Sequence, residues 1–583
     1  MFMHAWYPDL LFWLFFGVIN AVIFLPSYLL HRPLSSFFPD LFSTSKEQGS
    51  LVQNLLGRSN QDIFRVSADL AMMSLIGLAC ATIPFSILLC IPFGVYFIII
   101  ILFQITNAVF RKIYHKSFTN LELLQYLSTG HKIMRTSALY QVIMIAMLIV
   151  MLFGIGVWVM FEYLHFLAGV NISIVSIALL LVFVALPFYI RKKVVTMFFT
   201  NKVFPLHLPE IYQLFFKTNY AAYQKVSRID FDLLLSKQPP SSFHFHTKPN
   251  VYVIVIESYG RMVLDESDHP HNNYVKRIAI ELEKLAQDGW HCASSLAESP
   301  IAGGGSWIAY SSFLFGINMQ NQMMYEKYFS SEKMHGYNHL FRFLKSNGYK
   351  NYRVNAVGKG FDGITVAWDA YSTFYAVDEW IHFKDMAYLG QMYGFGPAPP
   401  DQFILHQSAQ VIDEKNDGPH SYFLLTQNSH SPFYSLPVHE PDWQTTNTPP
   451  EKRDDKGAHF IAIPKLEHYF DAIDYELETV FSFIRSRKGN DVFIVFGDHQ
   501  PPVFDQAKNS METPVHIIGK NKAFLDTWLA EGFNTGLMPE AKKSSFRFEG
   551  MLSLFIRAFV KAFSTESDLP EYHPMGNKTH HEQ

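Results

Sequence analysis

The chain has 583 residues, enough for more than one domain, and 49% of them are hydrophobic against 17% charged. A net charge of −4 gives no footprint for nucleic acid, so that class of partner is excluded. Of the three cysteines, Cys80 and Cys90 lie in apolar sequence and Cys292 stands alone in the polar part, which excludes a disulfide-built globular domain.

The first apolar run lacks a basic leader and a small-residue cleavage site, so it reads as a retained helix rather than a signal peptide. A bilayer-spanning helix needs about 20 apolar residues. Residues 10–30 qualify. The uncharged run 70–110 is twice that length and divides near its prolines, Pro84 and Pro92. Residues 138–161 and 166–190 complete an N-terminal α-helical transmembrane bundle of about five spans over 1–193. Basic residues follow the first span (Arg32, Lys46, Arg58, Arg65), the third (Arg111, Lys112, Lys116, Lys132, Arg135) and the fifth (Arg191, Lys192, Lys193). The positive-inside rule puts those loops, and the globular domain with them, in the cytoplasm. The alternative is that these residues lie on surface helices that bind anionic head groups.

A juxtamembrane linker of mixed aromatic and basic character spans 194–241, and Pro239-Pro240-Ser241-Ser242 closes it. Residues 242–563 alternate strand and helix patterns, and 564–583 form a polar tail expected to be loose. Strands are expected at 251–256, 350–355, 421–426, 492–496 and 514–518. The clearest helix is 466–484, with Tyr469, Ile473, Leu477, Val480 and Ile484 on one face. Such alternation predicts an α/β domain with a mostly parallel sheet sandwiched by helices.

The chemistry-bearing residues sit where parallel sheets put them, at strand ends. The run 251–256 stops at Glu257-Ser258, and 492–496 breaks into Gly497-Asp498-His499-Gln500. Glu257, Asp498 and His499 offer oxygen and imidazole ligands to one divalent metal. Gly303-Gly304-Gly305-Ser306 precedes a helix-like run. Ser306 there meets a positive helix end and, beside a metal, becomes a nucleophile; the plain alternative is a flexible loop with a serine cap. His430 follows another strand, a position from which it can hydrogen-bond or protonate a phosphoryl oxygen or leaving group; the plain alternative is a solvated surface histidine. Together Glu257, Ser306, Asp498 and His499 make a site suited to Zn²⁺ or Mn²⁺.

These features, in this order, resemble the membrane-bound branch of the alkaline phosphatase/sulfatase superfamily: lipoteichoic acid synthases, phosphoglycerol transferases and lipid A phosphoethanolamine transferases. The resemblance implies an alkaline phosphatase-like domain with one metal held by Glu257, Ser306, Asp498 and His499. It implies substrate contacts from His430 and Trp368, and a structural role for Asp474. The arginine that grips phosphoglycerol in lipoteichoic acid synthases is absent after Trp368, and the Cys/Ser-x-Pro-x-Arg site of genuine sulfatases is absent too.

The function so implied is transfer of phosphoglycerol or phosphoethanolamine from a phospholipid donor to an envelope glycan or lipid acceptor, through a covalent Ser306 intermediate. A hydrolase of the same superfamily, a phosphodiesterase or sulfatase-like enzyme, is the alternative, and a scaffold with a retired site is a third. The resemblance puts the chain in the cytoplasmic (inner) membrane as a multi-pass protein with its catalytic domain outside, against the literal charge rule.

Overall fold

The computed structural model describes residues 2–30, 66–80, 86–114, 139–193, 207, 224–356, 368–394, 397–431, 433, 435–451, 465–501, 510–540 and 546–577. Most of the loop residues behind the topology expectation (Arg32, Lys46, Arg58, Arg65, Lys116, Lys132, Arg135) and nearly all of 194–223 lie outside that set. The chain divides into two compact units, Met1–Gln224 and Lys225–Gln583.

The first unit is helical: α1 (Phe2–Leu30), α2 (Ala68–Cys80), α3 (Ser86–Tyr114), α4 (Leu139–Gly169) and α5 (Ile174–Lys193). Phe12, Phe16, Ile100, Met160, Leu164 and Leu180 are buried between them. The outward side chains are apolar as well, including Leu14, Val150 and Trp158. Helices apolar all round suit a hydrocarbon solvent. Among the described residues three helices are long and apolar enough to cross a membrane, at Tyr7–Leu25, Leu88–Thr106 and Val150–Gly169. The expectation of about five spans is corrected to three candidates. The 13 residues of α2 rise about 20 Å, short of a hydrocarbon core about 30 Å thick. The described apolar stretch of α5 covers only Ile174–Ala185.

The second unit is built on one eight-stranded sheet: β1 (Val251–Ile256), β2 (His291–Glu298), β3 (Lys350–Asn355), β4 (Glu379–His382), β5 (His420–Leu425), β6 (Val492–Gly497), β7 (Glu512–Gly519) and β8 (Asn534–Thr535), in the order β4-β3-β5-β1-β6-β7-β2-β8. The five expected strands are present. The sheet is mixed rather than mostly parallel. β4-β3-β5-β1-β6 pair in parallel, whereas β7 pairs antiparallel with both β6 and β2, and β8 antiparallel with β2. β7 lies directly beside its sequence predecessor, an adjacency that favours antiparallel pairing.

The helices of this unit include α6 (Tyr274–Gln287), α7 (Ser306–Phe315), α8 (Trp368–Tyr375), α9 (Asp401–Lys415), α10 (Leu466–Ser486) and α11 (Phe548–Phe563). One core face joins Val253, Ile494 and Phe423 to α7 and α11; the other joins Ile254, Val495 and Leu424 to α9 and α10. Arg277 on α6 forms ion pairs with Asp474 and Glu478 on α10 at 2.8 and 3.0 Å, a structural strut in agreement with the reading of Asp474. The polar tail is less loose than expected. Ser553 Oγ accepts from His573 N–H, and Gly316 O accepts from Asn577 N–H at 2.7 Å.

Candidate metal and nucleophile centre

β1 and β6 are parallel neighbours in a register that sets Ile256 opposite Gly497. The residues that follow, Glu257 and Asp498, therefore emerge side by side at the carboxyl ends of both strands. Gly497 permits this approach, because a Cβ there would lie 1.8 Å from Tyr259 O. Ser258 turns the chain away from β1 with φ of +60°. Its N–H donates to Asp498 Oδ1 at 2.8 Å and its hydroxyl to Glu257 Oε1 at 3.0 Å.

Three ligand atoms, one each from Glu257, Asp498 and His499, lie within 4.8 Å of one another, and all three residues are buried. His499 Nε2 is 3.4 Å from Glu257 Oε1 and 3.3 Å from Asp498 Oδ2. His499 Nδ1 sits 2.9 Å from Gln500 O, which assigns a proton to Nδ1 and leaves Nε2 as the ring atom facing the carboxylates. Among the described residues Asp498 Oδ2 is buried with no hydrogen-bond partner. Burial pushes the Asp498 carboxyl up to about 7, and the Glu257 charge adds to it. Burial opposes charge on Glu257 as well, but His499 and His430 hold it below the ordinary carboxylate value. Burial works against charge on His499, and the Asp498 and Glu257 carboxylates outweigh it and raise its pKa. An orphaned carboxylate oxygen, a second carboxylate and an oriented imidazole fit a hard-to-borderline divalent cation.

Ser306 is brought to the same point. It opens α7 behind Gly305, whose φ is +78°. Ser306 Oγ donates to Glu257 Oε2 at 3.1 Å and lies 3.5 Å from His499 Nε2. The loop before it is tied to the β6 tip. Ser299 Oγ donates to Asp498 O at 2.7 Å, and Gln500 N–H donates to Ala302 O at 3.1 Å.

His430 sits on the turn after β5, with Nδ1 2.7 Å from Ser431 O. That turn reaches the centre, since Glu257 N–H donates to Thr426 Oγ1 at 3.1 Å and Ser429 Oγ donates to Glu257 O at 2.7 Å. Trp368 is not drawn into the cluster. It opens α8, and its ring packs on Trp380 and His382 at 4.7 and 4.8 Å. The same aromatic group holds a cation that sequence reading passed over. The Arg353 guanidinium on β3 lies 4.7–5.2 Å from the rings of Tyr310, Tyr375, Trp380 and Phe423. Its Nη2 donates to Tyr310 OH at 2.7 Å, and Tyr310 is one helical turn after Ser306. A search for an arginine just after Trp368 misses it because it comes from the preceding strand. Ser258, Thr426 and Ser429 were also passed over; their polar side chains at strand ends were the available signal.

Residues 249–530 match the family model described as Sulfatase. No curated protein matches the chain. Among solved structures the chain is similar to an integral membrane lipooligosaccharide phosphoethanolamine transferase A from Neisseria meningitidis, with 12% identity, 92% of this chain and 94% of that chain covered, and a TM-score of 0.43. It is similar to an alkaline phosphatase superfamily protein from Vibrio parahaemolyticus, with 16% identity, 60% and 77% covered, and a TM-score of 0.37. It is also similar to the lipoteichoic acid synthase LtaP from Listeria monocytogenes, with 16% identity, 50% and 70% covered, and a TM-score of 0.32.

Proposed function

We propose, from the match of residues 249–530 to the Sulfatase family model and from the geometry of the centre, that this chain is a membrane-anchored, metal-dependent transferase. It moves phosphoglycerol or phosphoethanolamine from a phospholipid to an envelope glycan or lipid through Ser306. The observation that carries this reading is the convergence of Ser306 Oγ on Glu257 Oε2, beside His499 Nε2. The apolar helices of the first unit supply the anchor in the cytoplasmic membrane, with the catalytic domain outside.

Glu257, Asp498, His499 and Ser306 would hold one divalent ion, Mn²⁺ or Zn²⁺, which supplies Lewis acidity toward the phosphoryl oxygens and favours the ionised serine. Glu257 Oε2 takes the Ser306 proton as Oγ attacks phosphorus. The Oγ–P bond forms while the P–O bond to diacylglycerol breaks, and His430 gives the leaving oxygen its proton. The positive end of α7 favours the negative oxygen at its first residue. In the second half, neutral His430 takes a proton from the acceptor hydroxyl, whose oxygen attacks phosphorus. Ser306 Oγ leaves and recovers its proton from Glu257. Trp368 would contact the transferred group from outside the metal cluster, with Arg353 stacked on its neighbour Trp380.

The test is the mass of the Ser306 peptide after the purified full chain, loaded with Mn²⁺, meets phosphatidylglycerol or phosphatidylethanolamine. A phosphoglyceryl or phosphoethanolaminyl adduct, absent from Ser306→Ala, is the expected result. An adduct discharged equally fast with and without envelope acceptor indicates the hydrolase. No adduct with either lipid, with activity retained in Ser306→Ala, overturns the reading.

A further inference from the structure

The turn that carries His430 is held by two carboxyl groups that have no cation partner among the described residues. Asp401 opens α9 and Glu476 lies in α10; both are fully buried. Asp401 Oδ2 accepts from the N–H groups of Gln427 and Asn428 at 2.8 and 2.6 Å. Asn428 Oδ1 returns the contact, accepting from Asp401 N–H at 2.7 Å. Glu476 faces the Asp401 carboxyl and the main chain of Asn428 and Ser429. Among the described residues neither group has an ion pair, and Asp401 Oδ1 and both Glu476 oxygens are buried without a donor.

Two adjacent buried carboxylates without a cation cannot both ionise. Asp401 has two N–H donors to support a charge, so the proton belongs on Glu476, where it fills the gap by bonding to Asp401. Burial, and then the Asp401 charge, drive the Glu476 pKa well above the carboxylate range. The same turn is stitched to the metal-ligand candidate Glu257 through Thr426 and Ser429.

We propose that Asp401 and Glu476 are a positioning pair: their adjoining carboxyls clamp the main chain of residues 427–429 and so set the position of His430. The pair touches neither phosphorus nor metal ligand. The inference rests on His430 acting on the substrate, as argued above.

The experiment uses the full chain in detergent with Mn²⁺ and bis(p-nitrophenyl) phosphate, a chromogenic phosphodiester, together with amide hydrogen exchange over 426–431. Glu476→Gln carries its own N–H donor, so turnover stays within about threefold and exchange is unchanged. Glu476→Leu and Asp401→Ala lower kcat about 10- to 100-fold, at unchanged bound Mn²⁺, and speed exchange at Gln427 and Asn428. Asp401→Ala adds nothing further in a His430→Ala background, whereas a general loss of stability adds to it. Glu476→Gln falling as far as Glu476→Leu, or unaltered exchange in Asp401→Ala, overturns the pair. Turnover retained in Ser306→Ala or His430→Ala refutes the catalytic reading instead, and the exchange measurement still judges the clamp.

Discussion

Ser258 combines backbone strain with a contact to a ligand candidate. Its φ of +60° costs a side-chain-bearing residue about 1 kcal/mol relative to glycine. Its hydroxyl donates to Glu257 Oε1. Ser258→Gly and Ser258→Ala both remove that donor, so each weakens Mn²⁺ binding about 10- to 100-fold in a calorimetric titration. They separate on unfolding, with the glycine variant more stable than the alanine variant by about 1 kcal/mol. Equal stabilities would mean the φ carries no strain. The protons at the centre make a second statement. Asp498, pushed up to about 7, and His499, raised by its two carboxylates, must both present lone pairs to a cation. Protons and metal therefore compete. Affinity weakens as pH falls through about 7, by about tenfold per unit for each proton displaced. Mn²⁺ titrations at pH 8 and pH 6 measure it; equal dissociation constants would refute proton competition.

Elements carry the centre only because their tips align. A Gly497→Ala substitution drives a Cβ to 1.8 Å from Tyr259 O, which is backbone and cannot swing aside. The loop bearing Glu257 must move. The expected result is loss of bound metal and about 3 kcal/mol of stability. Gly418→Ala, whose new Cβ meets nothing nearer than 3.8 Å, is the matched control. The two strands responsible were readable from sequence because every residue of β1 and β6 is buried, and both runs are apolar. β2 was not readable. It runs His-Cys-Ala-Ser-Ser-Leu-Ala-Glu, small and half polar, yet is buried except at its ends. Its Ser294 is accommodated by donating to Gly536 O at 2.7 Å, a partner 242 residues away. The reversal at β7 escaped for a related reason, since an apolar run does not state its direction. The centre divides in the same way. Glu257, Asp498 and His499 announce themselves by following apolar strands. Thr426 and Ser429 carry only the weak mark of polar side chains at a strand end, and Asp401 and Glu476 act through contacts between distant segments that no local pattern marks.

At the scale of the whole molecule the two units obey different solvents. Composition alone distinguished them, because the first unit is apolar outside and in, whereas the second hides its apolar surface. The prolines also marked the break in the run 70–110, but not how short the first piece is, since α2 ends at Cys80 after 13 residues. The second unit also buries histidines that it keeps uncharged. His516 lies between Ser294 Oγ at 2.8 Å and Tyr259 OH at 3.0 Å, and burial pushes its pKa down to about 3. Burial, followed by the charges of His439 and Arg487, lowers His406 to about 4. An unfolded chain protonates both near pH 6.5, while the folded chain does not, so stability falls as the medium is acidified below that value. At pH 5 the loss from His516 alone is about 2 kcal/mol. Thermal unfolding of the full chain in detergent, followed by near-ultraviolet circular dichroism, should show a midpoint lower at pH 5 than at pH 7. His516→Gln lowers the midpoint at pH 7 but narrows the gap between the two pH values, because glutamine has no proton to gain on unfolding. An undiminished gap would place the acid sensitivity elsewhere, with His406 the next group to replace.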